Sequence, residues 1–99
     1  MINVVWSKNA KIELLKTTTY WKKRNKSNSY SEKIKIHLEV AINLIKHKPK
    51  LGIKSNKDNI RMRLILKQYY LIYEIKKDEL RILRFWDVRQ NPINTKFTK

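Results

Sequence analysis

The apolar residues of this chain change period once, and that change limits what it can fold into. From Ala10 to Trp21, and again from Ile34 to Ile45, they recur every three or four residues. From Ile60 to Trp86 they alternate, or run together in β-branched and aromatic stretches. Helical periodicity confined to one part and strand periodicity to another describes an α+β chain, with helices gathered on a sheet.

The helical part opens with a short β-branched strand, Ile2 to Trp6, followed by Ser7 as an N-cap. Ala10, Leu14, Thr17 or Thr18, and Trp21 then form one stripe of an amphipathic helix reaching about Arg24, with lysines opposite. Lys22 to Asn28 is polar and reads as a connection. Ser29 and Glu32 have the spacing of a capping box for a second helix, whose face is Ile34, Leu38, Ala41, Ile42 and Ile45. It ends before Lys48-Pro49, because the residue preceding proline avoids α geometry.

In the strand part, Ile60, Met62, Leu64 and Leu66 alternate with Arg61 and Arg63. Tyr69 to Ile75 follows through a tight hairpin at Lys67-Gln68, and Leu80 to Trp86, apolar on both alternations, belongs inside the sheet. The expected order is β-α-α-β-β-β, an antiparallel sheet packed on one face by a helical hairpin. The arginine pair is expected on the face opposite the helices. Residues 1–99 form a single domain, of which 88–99 is a short polar tail.

A formal net charge of +16 weakens so small a fold by self-repulsion, and points to a polyanion or an acidic protein as partner. The chain has no cysteine, so it forms no disulfide and has no thiolate nucleophile, which fits a reducing cytosol. Two histidines without cysteine leave no expectation of structural zinc, and no cofactor is implied. No apolar run approaches the roughly 18 residues of a membrane span, and the N-terminus lacks a basic signal region, so a cytoplasmic protein with no membrane partner is expected.

Four local features occur in order: Val5-Trp6-Ser7 leading into Ala10, His47-Lys48-Pro49-Lys50-Leu51-Gly52, Ile60-Arg61-Met62-Arg63, and Trp86-Asp87-Val88-Arg89-Gln90-Asn91-Pro92. With the element order, they make the chain resemble the RelE/ParE toxins of bacterial type II toxin-antitoxin systems. The resemblance implies a toxin held inactive by a cognate acidic antitoxin. It also implies one of two targets: the ribosome, where RelE-like toxins cut mRNA in the A site, or DNA gyrase, which ParE-like toxins poison. Translation inhibition by ribosome-dependent mRNA cleavage is the first expectation, since the A site is lined by RNA. Gyrase poisoning is the alternative, and a non-toxic basic RNA-binding protein a further one.

Cleavage through the 2′-OH needs a base, an acid, and cations for the phosphorane charge. Arg61 and Arg63 suit the last role as guanidinium forks on one strand face, and Arg84 interrupts an apolar strand. RNA-cutting relatives often place His or Tyr just after the final strand. Here Asp87-Val88-Arg89-Gln90 stands instead, so Asp87 is the candidate base, set against an ion-pair role with Arg89. His37 and His47 read as surface residues. Lys54, Lys57, Arg89 and the cluster Lys22, Lys23, Arg24 and Lys26 are candidate nucleic-acid contacts, with Tyr69 a candidate for base stacking.

Overall fold

The computed structural model describes residues 2–55 and 59–89. Strand β1 (Asn3–Trp6) leads into α1 (Lys8–Asn25) and α2 (Ser29–His47). A single 3-10 turn at Pro49–Leu51 then precedes β2 (Ile53–Lys54), β3 (Ile60–Ile65), β4 (Tyr69–Lys76) and β5 (Glu79–Asp87). The five strands form one sheet in the order β1-β5-β4-β3-β2. No helix among the described residues is long and apolar enough to cross a membrane.

The sheet is mixed where a purely antiparallel one was expected, because β1 pairs parallel with β5, Asn3 opposite Glu79 and Trp6 opposite Ile82. A parallel pair needs a long crossover, and here the rest of the chain supplies it. Ser7 closes the pair: its backbone N–H donates to Ile82 O at 2.9 Å and its hydroxyl to Leu83 O at 2.8 Å. The same hydroxyl oxygen accepts from Ala10 N at 3.0 Å, so one residue both caps α1 and ties it to β5. The helix continues to Asn25, taking in most of the segment expected as a connection, and Lys26 ends it in a left-handed conformation at φ 51°.

The capping box expected of Ser29 and Glu32 does not form, because α2 starts at Ser29 itself with Asn28 in the cap position. Ser27 Oγ accepts from Ser29 N at 3.0 Å, and Asn28 O accepts from Glu32 N at 2.9 Å. The β3–β4 turn is centred one residue earlier than expected, on Leu66 and Lys67, both at positive φ as a primed turn requires.

The core lies between the helices and one face of the sheet: Ala10, Ile34, Leu38, Ala41 and Ile45 against Ile65, Tyr69, Leu71, Tyr73, Leu80, Ile82 and Phe85. Cross-strand partners share a face, and Arg61 is opposite Tyr73 while Arg63 is opposite Leu71. The arginine pair therefore stands on the helix side of the sheet, not on the face opposite the helices. Met62, Leu64 and Ile60 take the face away from the helices instead, opposite Ile72, Tyr70 and Glu74, and Met62 and Ile72 are buried there. Leu64 and, on β2, Ile53 are left 43% and 59% exposed there.

Candidate functional site

Three groups of expected site residues end in three places. At the β3 edge, Arg61 Nη1 donates to Gly52 O at 3.0 Å and stands 3.4 Å from Lys50 O. The Tyr73 hydroxyl accepts from Gly52 N at 3.0 Å and donates to Pro49 O at 2.9 Å. Arg61 and Tyr73 thus brace the segment between α2 and β2. Lys54 is exposed on β2 opposite Arg61, whereas Lys57 lies outside the described residues.

At the opposite edge, β5 outruns β1, and a glutamate on α1 covers the excess. A bulge sets Ile82 opposite Tyr73 and Arg84 opposite Ile72, skipping Leu83. Glu13 Oε1 then accepts from Phe85 N at 2.9 Å, and Glu13 Oε2 accepts from Arg84 Nε at 2.8 Å and from Arg84 Nη2. Arg84 also lies 4.8 Å from the Trp86 ring centroid. This guanidinium is held by a carboxylate and an indole, not left open for a phosphate. The sequence reading missed Glu13, although it is the only acid in α1.

The third group lines a cleft of about 570 Å³ formed by Lys16, Thr17, Tyr20, Trp21, Tyr69, Asp87 and Arg89. Asp87 accepts from Arg89 N at 2.9 Å, from its Nε at 3.2 Å and from its Nη2 at 3.1 Å. Burial raises the Asp87 pKa, but the Arg89 hydrogen bonds and charge outweigh it and hold the carboxyl below its ordinary value. A carboxylate so held is a poor proton acceptor near neutral pH. Tyr69 cannot stack on a base, because its ring is fully buried and stacked on Phe85 at 4.8 Å. Only its hydroxyl takes part, accepting from Trp21 Nε1 at 2.7 Å. Lys22, Lys23, Arg24 and Lys26 are exposed around the last turn of α1. Lys16 and Tyr20 were missed because they lie off the apolar stripe of α1, and no group of metal-ligating side chains occurs among the described residues.

Burial raises the pKa of both core phenols, Tyr69 and Tyr73, above the ordinary value; for Tyr73 the Gly52 N–H and the Arg61 and Arg63 charges pull the other way. A folded-state pKa raised above the unfolded one gives stability that is complete below about pH 10 and is lost as pH rises through the folded value. Urea midpoints measured from pH 9 upward are expected to fall, and Tyr73→Phe to remove part of that slope. An unchanged slope would rule out ionisation of this phenol as a contributor.

Comparison with known proteins fits this architecture. The sequence matches the family described as ParE toxin of type II toxin-antitoxin system, parDE, over residues 4–92. No curated protein matches. Among solved structures, a chain of the chromosomal ParDE TA system from P. aeruginosa superposes with a TM-score of 0.67 at 13% identity, over 88% of this chain and 96% of that one. At that identity the likeness is one of fold.

Proposed function

Because the chain belongs to the ParE toxin family of type II toxin-antitoxin systems, we propose that it poisons DNA gyrase and is neutralised by a cognate antitoxin. One observation supports gyrase over mRNA: three of the four groups that RNA cleavage would draw on are engaged within the protein. Arg61 donates to backbone carbonyls, Arg84 to Glu13, and Asp87 accepts from Arg89. Acid-base cleavage of RNA needs such groups free in the cleft, whereas trapping a partner enzyme needs only a surface that fits it.

The antitoxin reading rests on charge and on the two apolar residues exposed on the sheet face away from the helices. An acidic segment that folds on binding would offset part of the +16 charge and cover Ile53 and Leu64. The purified protein is expected to make gyrase-DNA cleavage complexes accumulate on plasmid, and primer extension on ribosome-programmed mRNA is expected to show no new cut. The reverse pattern would restore mRNA cleavage as the activity.

A further inference from the structure

The cleft beside α1 has a chemistry that trapping gyrase does not require. Trp21 forms one wall, its ring orientation fixed by the hydrogen bond to the Tyr69 hydroxyl. Tyr20 meets it edge-on at 5.1 Å and 83°, and is itself 49% exposed. The Arg89 guanidinium lies 5.7 Å from the Trp21 ring centroid and is paired with Asp87, and Lys16 brings a cation outside that pair. Among the described residues the one carboxylate of the cleft is Asp87, and its pairing with Arg89 leaves a ligand little competing negative charge. As the Gln68 amide is oriented, its Nε2 donates to the Tyr69 hydroxyl at 2.9 Å, as Trp21 does.

A basic stripe leads away from the cleft along the helix. Lys16, Tyr20, Lys23 and Arg24 stand at i, i+4, i+7 and i+8 of α1 and so share one side of it. That stripe is about 12 Å long at 1.5 Å per residue. At about 3.4 Å per stacked nucleotide it passes several phosphates of one strand.

We infer that this cleft binds one unstacked nucleotide of a single-stranded nucleic acid, its base against Tyr20 and its phosphate at Lys16. The neighbouring phosphates follow Lys23 and Arg24. An aromatic face beside a row of cations is the pattern by which proteins hold single strands without reading their sequence. An acidic peptide with an aromatic residue satisfies the cleft alone, but leaves the rest of the stripe without a reason.

The test is fluorescence anisotropy of the isolated protein with short labelled oligo-dT, oligo-rU and duplex DNA of equal length, at several salt concentrations. Single strands are expected to bind more tightly than duplex, and the preference between dT and rU identifies the natural strand. Tyr20→Ala is expected to weaken binding roughly tenfold or more, while Tyr20→Phe retains it. Lys16→Ala, a change at an exposed position, is expected to reduce the slope of log affinity against log salt by about 0.7. Equal binding of duplex and single strands, indifference to Tyr20→Ala in a variant with an unchanged melting temperature, or preference for an acidic aromatic peptide would overturn the inference. No gyrase is present, so its failure would leave the gyrase reading intact, and failure of that reading would leave the cleft to be judged alone.

Discussion

Gly52→Ala lowers stability by about 2–4 kcal/mol, the sum expected from overpacking and a distorted buried hydrogen bond. Backbone conformation is not the cause, since Gly52 sits at φ −74° and ψ 163°, which any residue can adopt. The cause is proximity. A Cβ at this position would stand 2.5 Å from the Tyr73 hydroxyl, 2.8 Å from Met62 O and 3.0 Å from Tyr73 Cε1. Met62 O belongs to a paired strand and Tyr73 is fully buried, so neither can simply swing aside. The chain at Gly52 must move outward instead, away from the Tyr73 hydroxyl and from Arg61.

A loss of this size is a large share of the stability of a domain with about 5–15 kcal/mol in total. The double variant with Tyr73→Phe identifies the mechanism. Removing the hydroxyl removes the tightest contact, so the two changes together are expected to cost less than their sum. Urea denaturation of the four proteins measures this. Strict additivity, or a Gly52→Ala cost within about 0.5 kcal/mol of zero, the usual range for an innocuous surface change, would contradict the account.

The sequence revealed periodicity better than orientation. Alternation along Ile60-Arg61-Met62-Arg63 separates an apolar face from a basic one, but does not say which the helices cover. The apolar set would ordinarily be assigned to the core. In β3, next to the sheet edge, Arg61 and Arg63 take the helix side, and Arg61 donates to the carbonyls of the segment after α2. The two-residue β2 is too short for any period to reveal. Likewise Ser29 and Glu32 satisfy the capping-box spacing, but Ser27 is placed to serve the first turn and the helix begins one step away from that register.

The candidate site was harder to read, because its decisive partners are far apart in sequence. Glu13 and Arg84 are separated by 71 residues, and Tyr73 and Gly52 by 21. Asp87 and Arg89 are two apart, so their pairing could be weighed from sequence; local spacing was enough. What pairs Glu13 with Arg84 is the length mismatch between β1 and β5, a property of the assembled sheet.

That mismatch makes Glu13→Ala the second large effect, at about 2–3 kcal/mol. The substitution strands two groups at once: the Arg84 guanidinium, whose side chain is only 26% exposed, and the Phe85 N–H. Breaking a fully buried pair costs about 3–5 kcal/mol. Partial exposure reduces this to about 1–2 kcal/mol, because water reaches the freed charge. The unpaired N–H adds about 1 kcal/mol. Glu13→Gln keeps an acceptor for Phe85 while losing the charge, so it is expected to cost less than Glu13→Ala. Arg84→Met in the Glu13→Ala background is expected to recover the ionic part alone, since it removes the stranded charge but leaves Phe85 N–H unpaired. Amide hydrogen exchange separates the two contributions. Phe85 is expected to lose protection in Glu13→Ala and to keep it in Glu13→Gln, with the amides of β3 unchanged in both. If Phe85 exchanges at the wild-type rate in Glu13→Ala, then Glu13 is not what completes the β5 edge, and Arg84 would return to the set of cations available to a phosphate.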